Sequence, residues 1–344
     1  MRAVLVAVGL VSLGLAVAAP PAEASDCHFN PSTHVDSVHE PVDVSNDVTF
    51  TRSGTNIQVD GANCGTVTTV DRVDLDMADV QGSLTLDLRH GQFAPGFTHE
   101  ATGASEIEFD VTHVNGLGVT VEGGSLGQEF AVGERTIGSQ TVTAFQLNGK
   151  SEVSAPDEDV IVHSTDLSIS LFGDGGNDIL TGQGTGVAGS KPIHSRMLIS
   201  DGSGADVVDG GQGNDQMLAT DDPDGADSYR GFGGFDEIDY SFRTVPMNIS
   251  QDGQANDGAF CPGAGCESDS VGSDIEWIRT GSGGDSLTGG AGPQLLDAGG
   301  GDNTLHGGAG NDILTAGGGT DVFHGGPGDD AVSYESHSDG VIVS

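Results

Sequence analysis

The sequence predicts an all-β chain, a parallel β-solenoid of glycine-rich nonapeptide repeats behind a β-rich amino-terminal region. Three observations predict this. One pattern, Gly-Gly-x-Gly-x-Asp-x-(apolar)-x, occurs in eleven copies that begin at 173, 201, 210, 222, 231, 280, 289, 298, 307, 316 and 325. The fourth position is Gly in all eleven, and the eighth is apolar or aromatic in all eleven: Leu180, Val208, Met217, Tyr229, Ile238, Leu287, Leu296, Leu305, Leu314, Phe323 and Val332. Ahead of the copies, short alternating or β-branched segments recur without a sustained helical period.

Each part of the repeat has a physical task. The Gly-rich half turns tightly, and its bare backbone leaves carbonyl oxygens facing inward. The x-apolar-x half is a very short strand that stacks one side chain on the next turn. Two repeats therefore make one eighteen-residue turn. A disordered Gly/Asp linker would not keep an apolar residue in phase through every copy. The sixth position carries Asp in nine copies and departs at Gln294 and Asn303. Stacked carboxylates and carbonyls suit Ca²⁺, a hard cation that takes six to eight oxygens. The expected metal ligands are Asp178, Asp206, Asp215, Asp227, Asp236, Asp285, Asn303, Asp312, Asp321 and Asp330.

With the cleanest copy reading Gly307-Gly308-Ala309-Gly310-Asn311-Asp312-Ile313-Leu314-Thr315, residues 173–344 resemble the hemolysin-type (RTX) calcium-binding repeat proteins. The resemblance implies loops that bind Ca²⁺ and an array that folds into a parallel β-roll as the metal binds. Residues 25–172 resemble, more loosely, the short β-rich segments found ahead of such arrays.

Lys and Arg number 11 against 52 Asp and Glu, a net charge of −41. Such a surface repels nucleic acid and anionic membranes, and it opposes its own collapse unless divalent cations offset the repulsion. Residues 1–24 read as a secretory signal: Arg2, an apolar run from Ala3 to Ala18, and Ala22-Glu23-Ala24 as the cleavage site. Asp26 ahead of Cys27 argues against lipid attachment, and no later segment is apolar enough to span a membrane. The expected location is extracellular or at the cell surface. Related proteins exported by type I systems usually carry a carboxy-terminal signal, so this amino-terminal one departs from the family habit. Four cysteines in an exported chain suggest two disulfides, with three connectivities open; the local pairing Cys27–Cys64 and Cys261–Cys266 is preferred.

Residues 25–165 form the β-rich region, read as a degenerate solenoid continuous with the repeats, with a small sandwich as the alternative. A first array occupies 166–239, interrupted at 182–200, and a second occupies 280–333. The connecting segment 240–279 holds Cys261 and Cys266. Tyr240–Ser250 and Tyr334–Ser344 match in register, so each array is followed by the same strand-like tail.

Catalytic motifs are incomplete. His39-Glu40 and His99-Glu100 begin a zinc-protease pattern, but Asp43 and Gly103 stand where the second His is needed. Gly123-Gly124-Ser125-Leu126-Gly127 matches a nucleophile elbow only as a string, and His28, His34 and His39 read as exposed histidines near a new terminus. The expected function is a secreted calcium-binding protein, structural or adhesive and not an enzyme. It would act as a cell-surface or matrix component, without nucleic-acid binding or membrane insertion. The alternative is an extracellular hydrolase or polysaccharide lyase with its site in residues 25–165.

Loops on one flank are two repeats apart, which pairs 285/303, 294/312, 303/321 and 312/330. Of these, only Asp312/Asp330 offers two carboxylates eighteen residues apart. In the first array Asp206/Asp227 and Asp215/Asp236 are also acidic, but Ala219–Asp221 stretch their spacing to twenty-one.

Overall fold

A computed structural model describes residues 26–30, 35–39, 46–77, 82–91, 93, 107–112, 114, 116–147, 158–260, 267–334 and 341–343. The expected signal, the Cys261–Cys266 pair and His99-Glu100 lie outside these residues, as do the side chains of His28 and His39. Among the described residues all regular structure is β, and no helix is long and apolar enough to cross a membrane.

The described residues form three sheets, of eleven, thirteen and six strands. The first sheet begins with the antiparallel pair Asp26–Asn30 and Val35–His39 and continues in parallel through Arg72–Asp76, Glu108–Thr112 and Val160–Val162. It then folds back through Gln140–Gln146 and Glu129–Ile137 before the parallel stack resumes at Ile179–Thr181, Val207–Asp209, Ser228–Arg230 and Ser270–Val271. The second sheet runs without a break from Asn46–Ser53 through Leu117–Gly124 and Leu167–Asp174 to Ala331–Ser333. The amino-terminal region therefore shares both sheets with the first array, as the degenerate-solenoid reading expects.

Alternation sets the core. Leu84 and Leu86, then Val119 and Val121, then Ile169 and Leu171 point inward from successive strands and are buried. In the amino-terminal turns the aromatic load is high, with Phe109 edge-on to both Phe50 and Phe93. The repeats carry far less. Leu287, Leu305 and Phe323 register on one another at eighteen-residue steps, as do Leu296, Leu314 and Val332 on the facing sheet. All repeat-phase-eight side chains are buried except Val332, at the last described turn, which is half-buried. One apolar side chain per nine residues makes a thin core.

The structure departs from the sequence reading in two places. The interruption at 182–200 supplies a strand, Met197–Ser200, that registers Ile199 on Met217. The connecting segment 240–279 is not a spacer: Val271 registers on Tyr229 and Ile278 on Ile238, so it holds a further turn. Here the first sheet ends and the third begins. Met247–Ser250 and Val341–Val343, the two matched tails, lie on either side of the three repeat strands of that third sheet. The Cys27–Cys64 disulfide ties the first strand to the hairpin strand Ala62–Thr66, with Cα atoms 5.5 Å apart.

Candidate metal centre

The sixth-position residues stack into ladders along the flanks. In each, one side-chain oxygen accepts the backbone N–H of the sixth residue one turn earlier. Asp206 Oδ1 accepts from Asp178 at 2.6 Å, Asp227 Oδ1 from Asp206 at 2.8 Å, and Asp269 Oδ1 from Asp227 at 3.0 Å. On the second flank Asp236 Oδ1 accepts from Asp215 at 2.8 Å and Glu276 Oε2 from Asp236 at 2.9 Å. The same flank continues in the second array with Asp312 accepting from Gln294 at 2.9 Å and Asp330 from Asp312 at 3.0 Å. A third ladder runs Asp285, Asn303, Asp321, at 2.9 Å and 2.8 Å. All ten sequence-predicted residues thus sit in ladders, with the pairing the repeat spacing implies.

The twenty-one-residue spacing in the first array does not disturb the stack. Asp206/Asp227 and Asp215/Asp236 make bonds at least as short as Asp312/Asp330, because Asp221 and Asp222 lie exposed while the loops on either side stay in register. Chain length between loops is cheap when the excess can bulge into solvent.

Sequence reasoning missed three ladder members. Asp269 and Glu276 extend the two first-array ladders into the connecting segment. Each opens an acid-x-apolar triplet, Asp269-Ser270-Val271 and Glu276-Trp277-Ile278, which is the usual centre of the repeat and the signal that could have found them. The third is Gln128, whose N–H donates to Asp178 Oδ1 at 2.6 Å. It directly follows the string Gly123–Gly127 and precedes Phe130, which registers on Leu180, so that string is a degenerate repeat loop rather than a strand-turn-helix elbow.

The second oxygen of these acids points elsewhere. Oδ2 of Asp178, Asp206, Asp236 and Asp312 is buried with no hydrogen-bond partner. A Cβ added to Gly307 would come 2.5 Å from Asp312 Oδ2 and 2.6 Å from the Gly325 carbonyl oxygen; one on Gly210 would come 2.7 Å from Asp215 Oδ2 and 2.6 Å from the Gly231 carbonyl oxygen. The glycine at repeat position one thus borders a space lined by its own loop's carboxylate and the next turn's carbonyl. Buried unpaired carboxylate oxygens are costly unless a cation takes them up. The donor set is all oxygen, which fits Ca²⁺ and not a soft metal.

Electrostatics agree. Burial pushes Asp178, Asp206 and Asp215 up to about 6. Asp227 rises to about 7 and Asp236 and Asp269 to about 8, through burial first and neighbouring carboxylates second. Without a cation the most crowded ladder positions resist ionisation at neutral pH.

Unequal charge along the ladders gives unequal sites. Asp312→Ala should raise the calcium concentration at half-folding more than Asp285→Ala does, by a factor on the order of ten, about 1.4 kcal/mol. Asp312 faces Asp330, whereas Asp285 faces the neutral Asn303. Calcium titrations of the two full-length variants followed by circular dichroism check this, and equal shifts would mean that partner charge does not rank the sites.

A family model described as the RTX calcium-binding nonapeptide repeat matches four stretches of the chain, residues 170–184, 198–226, 270–292 and 297–332. The third of these includes Glu276 and Ile278, in keeping with the turn that the structure places there. No curated protein matches the chain.

Proposed function

We propose, for a chain that carries RTX calcium-binding nonapeptide repeats on a parallel solenoid, that it is an exported structural or adhesive element stiffened by Ca²⁺ and without catalysis. Calcium is the ion such repeats bind. The observation that carries the reading is the row of buried, unpartnered oxygens on Asp178, Asp206, Asp236 and Asp312 between stacked loops. Together with Asp215, Asp227, Asp269, Glu276, Asp285, Asn303, Asp321 and Asp330, these side chains would hold the ions, helped by loop carbonyls. Bound calcium supplies the positive charge that lets the acids ionise inside the fold. The expected export signal and the extracellular grade of such sites support a role outside the cell, where calcium is abundant.

The rival, a hydrolase or lyase in residues 25–165, would draw on the acids that line the cavity of the amino-terminal sheet. The acids lining its cavity are engaged. Asp110 meets Arg72 at 3.0 Å and His163 at 2.8 Å, and Glu158 meets Arg135 at 2.5 Å and the Thr185 hydroxyl at 3.0 Å. These ion pairs brace neighbouring strands, and the reading proposed here gives them that structural role. Turnover of polysaccharides or peptides by the full chain would overturn it.

The raised carboxyl groups set a pH test. A carboxyl whose pKa is raised in the metal-free fold contributes stability below its unfolded value, near 4, and that contribution is lost as pH rises through the folded value. Here the loss spans pH 4 to about 8, with Asp178 titrating near 6 and Asp236 near 8. The metal-free repeats are therefore least stable in the alkaline half of that window, and calcium binding there must release protons. Isothermal titration at pH 7 in two buffers of different ionisation enthalpy should show net proton release, with affinity falling from pH 8 to pH 5.5. Proton-neutral binding would contradict the ladder assignment.

A further inference from the structure

Outside the calcium loops, the third sheet brings two histidines together. His306 and His324 end the strands Thr304–His306 and Asp321–His324, and they are register partners on adjacent parallel strands. Leu305 and Phe323 beside them are buried, so by strand alternation both histidines face outward. His306 is exposed and His324 half-buried. Their rings stack with centroids 4.6 Å apart and planes 11° from parallel. The backbone holds both at one height: the His306 carbonyl accepts the Gly289 N–H and the His324 carbonyl the Gly307 N–H, each at 2.8 Å.

The surroundings decide what the pair can hold. Four successive strands of the sheet, Met247–Ser250, Ser286–Thr288 and the two that end in histidine, otherwise turn outward Asn248, Ser250, Ser286, Thr288, Thr304 and Val322. Among the described residues these strands turn no carboxylate outward, in a chain of 52 acids. Calcium, which takes six to eight oxygens, has no ligand set there. Two imidazoles suit another class of ion, Zn²⁺, Cu²⁺ or Ni²⁺. Imidazole binds metal in its neutral form. His306 is biased towards that form, because partial loss of hydration, and then the neighbouring His324, push its pKa down. Two metal–nitrogen bonds of about 2.0–2.1 Å at a tetrahedral angle need nitrogens about 3.3 Å apart. Rings already stacked need only tilt their edges together, and each keeps its other nitrogen for a second partner.

We propose that His306 and His324 form a two-imidazole site for a divalent transition-metal ion, with water completing its coordination. The ion clips consecutive turns of the third sheet on their outer face rather than in their loops. Asn303 and Asp321 stand three residues before the two histidines and join the same turns in a calcium ladder, at 2.8 Å. Ions at the two places close one pair of turns, so each favours binding of the other. The site shares no residue with the ladders.

Zinc titrated into the calcium-saturated full chain, followed by the histidine ring signals in nuclear magnetic resonance, tests this. The His306 and His324 signals should shift together, saturate with a single ion, and do so before those of the other histidines. Thr288 is the register partner of His306 one turn earlier, so H306T and H324T install a residue that this face already carries. Both variants should keep the dichroism of the calcium-loaded chain, and each should weaken zinc binding at the histidine that remains about tenfold or more. Zinc should also lower the calcium concentration at half-folding in the unmutated chain and do so less in H306T. The proposal is overturned if the two rings ignore zinc or respond to it separately. It is equally overturned if H306T leaves the zinc affinity of His324 unchanged, or if zinc moves the calcium midpoint no further in the unmutated chain than in H306T.

Discussion

Transferred from millimolar calcium into excess chelator at pH 8, the chain should lose most of the β structure of residues 173–333. The amino-terminal turns should keep theirs. The contrast follows from what each part buries. Turns before the repeats pack Phe50, Phe93, Phe109, Phe130 and Phe145 with many aliphatic neighbours, and a buried Phe contributes roughly 1.5–3 kcal/mol. A repeat buries one phase-eight side chain and, in most copies, the sixth-position carboxyl group, while ordering each residue costs roughly 1–2 kcal/mol in backbone entropy. At pH 8 acids such as Asp178 and Asp206, whose folded values lie near 6, must also ionise inside the fold. The thin apolar core of the repeats is too small to offset these costs without a cation. Calcium should restore the structure with a midpoint on the order of 10⁻⁴–10⁻³ M. Acidification to pH 5 in chelator should recover part of it, because Asp178, Asp206, Asp215, Asp227, Asp236 and Asp269, raised to about 6 or above, are then largely neutral. Far-ultraviolet dichroism that does not respond to chelator at pH 8 would show that the repeats stand without metal.

The second large effect is steric. Gly225→Ala should prevent the first array from closing at any calcium concentration, whereas Gly318→Ala should change stability by no more than about 0.5 kcal/mol. Both residues are repeat glycines in exposed-looking loops, yet their surroundings are opposite. A Cβ on Gly225 would fall on the Gly204 carbonyl oxygen and come 2.9 Å from Ala205 Cα, whereas one on Gly318 meets nothing within 4 Å. The obstruction at Gly225 is backbone, so no rotamer relieves it. Moving the loop away would break the Asp206 N–H bond to Asp227, which comes from the same repeat. The expected loss exceeds ~4 kcal/mol, the range kept for strain that cannot relax. Thermal melts of both variants in saturating calcium compare them directly, and a Gly225→Ala chain that melts like Gly318→Ala would refute close loop stacking.

Most of the repeat region was legible because its rules are local. An apolar residue every nine positions fixes the strand, and the eighteen-residue step fixes which carboxylate meets which amide. Asp312 and Asp330 could be paired from spacing alone. The turns that escaped notice broke those rules in identifiable ways. At Glu267 the fourth-position glycine is replaced by an acid, and around Val271 two repeats are compressed, with Asp269 and Glu276 only seven residues apart. At Gly123–Gln128 the ladder residue is an amide and the fourth-position glycine is shifted by one, to Gly127. Arg243 was legible only as one matched position in two tails. Its burial depends on Thr220, Asp224 and Glu267 arriving from three different loops, which no local pattern encodes.

The unbroken second sheet determines how the molecule would respond to being cut. Its strand Trp277–Arg279 pairs with Glu237–Asp239 on one side and Leu295–Asp297 on the other, so it spans the point where the chain changes sheets. A protease that nicks the exposed Asp252–Ala255 loop severs the covalent link but leaves both pairings intact. The two fragments would still migrate as one particle while calcium is present and part only in chelator. New termini could be placed in that loop on the same reasoning, making it the natural site for circular permutation or for insertion of a foreign segment.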